Sequence, residues 1–540
     1  MQMSYHQCFK GASYFVFTTV ILLILLTFKQ YGVSNDEEVQ RIYGELLLNF
    51  YASGFRNLSV FQYKNLYLYG GFFDLTSALL QKILPLWLWD VRHLLSAVFG
   101  FSGLVAVYKT TRFVSGPRAA FFALILLSLA GAWIGAMFTH TKDISFATCM
   151  AWSLYYTVRI SKALPTIPLG LSLKLGVAVG CALGLRIGGA FAVISLCLMV
   201  LLTGVFHAGS YKEKLHFFKR TILGLIPAGF VAFVLMAIFW PWSVMGWGNI
   251  FLAVKSFSHF VFNMNTIVDG EVLNIGLVPS TYLFEYLGVR LHELFLFGLL
   301  CAFVFSLLKI KPTLSNKNTF HQAMPMIAVS IALFVPVFFV LLDRPALYNG
   351  VRHFTFIIPT LAIVAGIGLS YLFQWMKPFK RLHVVMALFC VGLSLNTLNT
   401  LRQLQPYEYL YYNQFAGDNF KEAIDDWEGD YWSSSLIDAA KVLKRFVYRE
   451  EKDSKIDHIY QVAVCAEPFQ MQAYLNKHFK VTTDWVAADF FISSNNMDCD
   501  DVLKGQVIGT IERLGATLAT IKDRRQLVGK ARLPRPALPQ

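Results

Sequence analysis

Charge is what this sequence has least of. Only 15% of its 540 residues are Asp, Glu, Lys or Arg, against roughly a quarter in a soluble globular chain. Hydrophobic residues make up 56%, and the mean hydropathy is +0.52. So little charge cannot cover the surface of a long chain in water. A soluble enzyme is excluded on that ground, and so is a disordered or fibrous chain. The 8 cysteines are scattered singly, with no CxxC pair, so no zinc site or redox motif is implied. No Walker A, GxGxxG, HExxH or GxSxG pattern occurs, which leaves nucleotide hydrolysis and metalloprotease chemistry without support. There is no internal repeat, and no low-complexity tract beyond a basic, Pro-containing C-terminal tail.

Long apolar runs are what the sequence has instead. A helix needs about 20 mostly apolar residues to cross roughly 30 Å of hydrocarbon. Such stretches fall near 12–29, 92–111, 118–138, 144–160, 168–186, 189–206, 221–240, 292–309, 323–342, 354–373 and 383–399. They predict an α-helical polytopic membrane protein of about eleven transmembrane helices. The first run has a long core with no small-residue cleavage site after it, so it reads as an anchor and not a signal peptide.

Basic residues then gather on one side of these spans. Lys10 precedes the first, and Lys109, Arg112 and Arg118 separate the second from the third. Arg159 and Lys162, then Lys212, Lys214, Lys219 and Arg220, occupy the next loops of that side. Lys309, Lys311 and Lys317 follow, and Lys377, Lys380 and Arg381 close the series. By the positive-inside rule these loops are cytoplasmic. The net charge of +14 therefore reports orientation and not nucleic-acid binding. Residues 1–400 hold 13 of the 33 acids, and on this topology Glu213 alone is cytoplasmic. Longer outer loops would produce that asymmetry, and so would a polar active surface on the outer side.

The chain divides at about residue 400. Residues 1–400 read as the membrane domain, and 401–540, with the other 20 acids and no span, as a small soluble α/β domain on the outer face. Its apolar runs at 459–465 and 488–494 read as buried strands, with a helix between them from Pro468 and a hairpin near 506–522. Cys465 and Cys499 are its two cysteines. They pair in an oxidising compartment, or Cys465 is a free core residue. Two other outer segments are long. Residues 30–91 read as helices lying in the membrane interface, and 241–291 form a loop rich in aromatics and Asn.

Three outer stretches hold residues fit for chemistry. In SNDEEVQRIYGE (34–45), Ser34 or Asn35 can cap a helix whose first turn holds Asp36, Glu37 and Glu38. The acids either stabilise that turn alone, or supply a general base beside the hydrocarbon boundary, where charge is costly to desolvate. In FTHTKDISFA (138–147), His140, Lys142 and Asp143 occupy a short turn, as a capped helix start or as neighbours of the acidic loop. In LLDRPALYNGVRHFTFIIP (341–359), Arg344, Arg352 and His353 run against the charge trend, and Arg suits bidentate phosphate binding. Arg186, at the outer end of the fifth span, either joins them or snorkels.

In this order, an anchor span, an acidic pair, an interfacial loop, a Lys-Asp turn and a late Arg-His resemble the GT-C membrane glycosyltransferases. The branch is that of the protein O-mannosyltransferases and lipid A aminoarabinose transferases, and the likeness is greatest to bacterial chains of the dolichyl-phosphate-mannose-protein mannosyltransferase type. NDEEVQRIYGE, YGGFFDL, GAMFTHTKDISFA, LYNGVRHFTFIIP, YYNQFAG and DYWSSS carry the resemblance, which covers most of residues 12–435. It implies Asp36 and Glu37 as the catalytic acidic pair and a sugar donor on a polyprenyl phosphate. It also implies transfer to a protein, lipid or glycan acceptor at the non-cytoplasmic face of a bacterial inner membrane. Arg352, His353, Lys142 and Arg186 are then the candidates for the donor phosphate, and Asp143 and His140 for the acceptor or metal neighbourhood. A divalent ion near Asp36 and Asp143 is admitted but not demanded. The family's turn is Asn-Pro-Lys-Asp; here Thr139, His140 and Thr141 replace its context, while Lys142 and Asp143 match. The rival readings are a transporter of a small polar or lipid-linked solute, against which the nearly uncharged span interiors stand, and a scaffold that uses its soluble tail.

Overall fold

The computed structural model describes residues 5–206, 209–258, 264–315, 317–451 and 458–528. Each of the eleven apolar stretches falls on helix. Among the described residues, seven helices are by length and composition fit to cross a membrane: Gln7–Gln30, Leu88–Ser115, Ile187–Val205, Tyr211–Phe239, Phe320–Asp343, Arg352–Trp375 and Lys380–Leu404. An eighth would be the pair Pro117–Ser128 and Gly131–Thr139, bent by 72°. The expected count of eleven is therefore not reached on these grounds. Leu169–Leu183 and Glu293–Leu308 are apolar but shorter. Thr141–Ser161 is long enough, but carries Ser, Thr, Trp and Tyr along its length and is largely enclosed by its neighbours.

The bend in the expected third span is set by a segment distant in the chain. Gly131 and Gly135 lie against the backbone of the segment that follows the last span. A Cβ on Gly131 would stand 2.5 Å from the Glu408 carbonyl oxygen, and one on Gly135 2.2 Å from the Tyr409 nitrogen. The broken span thus makes room for residues 408–411, and Tyr31 closes the same corner by donating to Glu408 Oε1 at 3.0 Å. Burial pushes the Glu408 carboxyl up to about 7.

The first long loop carries two helices, Glu37–Ala52 and Phe72–Gln81, linked by short 3-10 turns. The 10 residues of Phe72–Gln81 are too few for a crossing. The 241–291 loop contains a feature with no sequence signal, an antiparallel hairpin of Asn265–Val268 and Glu271–Asn274. Thr266 in this hairpin donates to the buried Glu428 at 2.6 Å, tying the loop to the C-terminal region.

The C-terminal region forms a small sheet domain. Strands Tyr460–Cys465 and Phe490–Ser494 and the hairpin Gln506–Arg513/Ala516–Asp523 lie where the apolar runs predict them. Phe479–Val481 adds an edge strand beside Tyr460–Cys465. The amphipathic helix Leu436–Glu450 covers the sheet through Leu443 and Val447, both fully buried. Cys465 and Cys499 are disulfide-bonded, which decides between the two readings of Cys465.

Candidate active site

Asp36 occupies the N-cap position of Glu37–Ala52, yet its side chain makes no capping bond. The turn is closed by other atoms: Glu37 N–H donates to the Ser34 carbonyl at 3.1 Å, and Ser34 N–H to Glu37 Oε2 at 2.8 Å. The Asp36 carboxylate instead accepts from the guanidinium of Arg352, 316 residues away in sequence. With 40% of its side chain exposed, it is the open acid of the group.

Arg352 begins a short 3-10 turn that leads into the helix Ile358–Trp375. Its Nε donates to Asp143 Oδ2 at 3.2 Å, and its guanidinium carbon lies 4.1 Å from the centre of the Trp432 ring. Arg186, between the helices Leu169–Leu183 and Ala190–Val205, pairs with the other Asp143 oxygen. It is engaged and does not snorkel. Two guanidinium groups and two carboxylates thus alternate, Arg186 to Asp143 to Arg352 to Asp36, and the Asp36 end is the most exposed. An Arg fixed by carboxylate on one edge keeps further N–H donors for a phosphate.

Beneath this row lies a second, closed network. Glu37 is fully buried, with Arg92 Nε at 3.5 Å and His93 Nε2 at 3.2 Å. Burial alone would raise the Glu37 carboxyl, but His93 and then Arg92 outweigh it and hold the group below the usual carboxylate range. Arg92 also reaches Asp74 at 3.3 Å, and Asp74 receives Lys142 Nζ at 2.9 Å. Gln40 joins in, accepting from Arg92 at 3.2 Å and from Thr141 at 2.7 Å. Lys142 lies between the rings of Tyr43 and Tyr69, at 5.2 and 5.4 Å.

The residues singled out from sequence are therefore divided. Asp36, Asp143, Arg186 and Arg352 form one row. Glu37 and Lys142 belong to the buried network below it, each held by an opposite charge. His353 packs edge-on against Tyr348, ring centres 4.5 Å apart. His140 faces the C-terminal region. Its Nε2 accepts from Trp432 Nε1 at 2.7 Å and lies 2.8 Å from the Tyr431 hydroxyl. Indole can only donate, so that nitrogen carries no proton and the imidazole is neutral. Burial pushes it the same way, down to about 3.

The position between Asp36 and Asp143, where a divalent ion was admitted, is filled by the Arg352 guanidinium. These residues as arranged do not fit an additional cation. Among the described residues, no group of three or more His, Cys, Asp or Glu is placed to hold a metal.

Four neighbours of these residues escape a reading of single motifs. Arg92 and His93 sit at the start of an apolar helix, where an ionisable residue is itself a signal of function. Asp74 lies in YGGFFDL, and Trp432 in DYWSSS, without spacing that links either to the acidic loop.

No family model matches the chain, and no curated protein is similar to it by sequence search. Solved structures do match. ArnT from Cupriavidus metallidurans in the apo state aligns over 96% of this chain and 98% of its own, at 14% identity and a TM-score of 0.51. The same protein bound to undecaprenyl phosphate aligns over 95% and 98%, at 14% identity and a TM-score of 0.50. Over nearly its whole length, this chain shares the fold of the ArnT structures.

Proposed function

We propose that the protein is an integral membrane glycosyltransferase that moves a sugar from a polyprenyl-phosphate donor to a protein, lipid or glycan acceptor. The observation that carries this is the placement of Asp36: a partly exposed carboxylate, free of capping duty, beside a row of arginines suited to phosphate. In this reading Arg352 and Arg186 receive the donor phosphate and stabilise the charge that grows on it as the glycosidic bond breaks. Asp36 takes the proton of the acceptor hydroxyl or amine, which attacks the anomeric carbon with inversion. Polyprenyl phosphate leaves. The undecaprenyl phosphate bound to the ArnT structure supports this donor class.

Glu37 and Lys142 then serve as supports. Each is neutralised by a buried partner, and together they fix the loop and the turn that present Asp36 and Asp143. Neutral His140 positions the Trp432 ring over Arg352. His353, beside Arg352, stays a candidate for the donor phosphate. The charge segregation in the loops supports a site on the non-cytoplasmic face, with residues 401–540 as an outer domain; the bacterial inner membrane is what the family resemblance implies.

The test is release of polyprenyl phosphate. Purified protein mixed with undecaprenyl-phosphate mannose and a bacterial envelope fraction as acceptor source should release undecaprenyl phosphate as sugar is transferred. A transporter would move the lipid-linked sugar across vesicles and leave the bond intact.

A further inference from the structure

We propose that Gln470, in the C-terminal sheet domain, is a positioning residue that joins the two halves of this site. The proposal rests on the transferase reading above. Gln470 is fully buried in the short helix Pro468–Gln472. Its side-chain amide spends one N–H on the Val33 carbonyl at 2.7 Å and the other on the Trp432 carbonyl at 2.9 Å. Val33 lies three residues before Asp36 in the chain, and Trp432 carries the ring stacked on Arg352. One amide therefore fixes the backbone behind the proposed base and the backbone behind the proposed phosphate-binding group.

Neighbouring contacts show that the two segments are clamped there and not merely adjacent. Val33 N–H donates to the Tyr474 hydroxyl at 2.7 Å, and Asn35 Nδ2 to the Tyr431 carbonyl at 3.1 Å. Gly32 packs so closely that a Cβ would stand 2.2 Å from the Ser434 carbonyl oxygen. Gln470 Oε1 is occupied as well, accepting from Glu467 N–H at 3.3 Å. This amide is thus bonded on all sides, and the helix bearing it starts three residues after the disulfide-bonded Cys465. Only a side chain of this length with two donors can bridge both carbonyls; Met matches the length without donors.

The sheet domain thereby becomes part of the active site without touching substrate. A displacement of about 1 Å at a reacting group costs up to about 10²-fold in rate. In Gln470→Met, kcat per folded molecule should fall about tenfold or more, while affinity for undecaprenyl phosphate stays within about threefold, because Asp143 still holds Arg352. The measurements are initial rates at saturating undecaprenyl-phosphate mannose in nanodiscs, and direct binding of undecaprenyl phosphate. If Gln470→Met does not fold, Tyr474→Phe, which removes one oxygen from the same clamp, is judged by the same split. A folded variant with kcat near the parent value overturns the proposal, and so does a parallel loss of kcat and affinity, which would mark general loosening. Wild-type protein that releases no undecaprenyl phosphate refutes the transferase reading and takes this proposal with it. Wild-type activity with an unimpaired variant refutes this proposal alone.

Discussion

Replacing Asp36 by Asn separates the chemistry of this carboxylate from its shape. Asn is nearly isosteric and is itself a favoured N-cap residue, but it lacks the negative charge and cannot take a proton. The structure shows what else changes. Asp36 makes no side-chain bond to its own helix, so the helix start is unaffected. Arg352 loses one of its two carboxylates and keeps Asp143 at 3.2 Å. A guanidinium so relieved has one competitor fewer for the donor phosphate. General-base catalysis is worth about 10²–10⁴-fold, or about 3–5 kcal/mol of barrier at roughly 1.4 kcal/mol per decade. Turnover in Asp36→Asn should fall by that factor, and affinity for undecaprenyl phosphate should hold or rise. Both are read on one preparation, by transfer rate and by direct lipid binding. A folded Asp36→Asn protein that transfers sugar at nearly the parent rate would refute the base assignment. A fall in lipid affinity equal to the fall in rate would assign Asp36 to binding.

Other perturbations test the surrounding parts. Arg352→Ala should weaken undecaprenyl phosphate binding by the worth of a charge-assisted hydrogen bond, about 1.5–3 kcal/mol or roughly 10–100-fold; unchanged binding would shift the phosphate to Arg186. Glu37→Gln should act on stability first, by about 3 kcal/mol, because it strips a partner from buried Arg92, which still keeps Asp74. The check is a lower melting temperature in detergent, with turnover per folded molecule falling far less than in Asp36→Asn. Glu408 should make stability pH-dependent: its folded value, about 7, lies above the ordinary 4.5, so the protein binds the proton more tightly when folded. That contribution is complete below about pH 4.5 and is lost as pH rises through about 7; Glu408→Gln should flatten the melting curve across that window. Finally, a reporter active only outside the cytoplasm should work when fused at residue 430 and fail at residue 215; the reverse pattern would invert the topology.

Sequence by itself determined what depends on composition and on short-range pattern. Every apolar run near 20 residues in the membrane part is helical, because solvation by hydrocarbon is a local property of a run. Alternating and continuous apolar segments placed four strands of the sheet domain, and missed the short edge strand Phe479–Val481. The acidic loop, the Lys-Asp turn and the late arginine were legible because charged residues are conspicuous among apolar ones. Only tertiary structure decided how those charges pair. Lys142 and Asp143 are adjacent in the chain, yet one turns to Asp74 and the other to two arginines, since successive side chains on a helix face different directions. Asp36 and Glu37 likewise part, one outward to Arg352 and one inward to Arg92 and His93. The break at Gly131–Gly135 and the clamp at Gln470 were equally hidden. Each is defined by backbone more than 250 residues away, and nothing local to a sequence encodes the partner that will meet it in space.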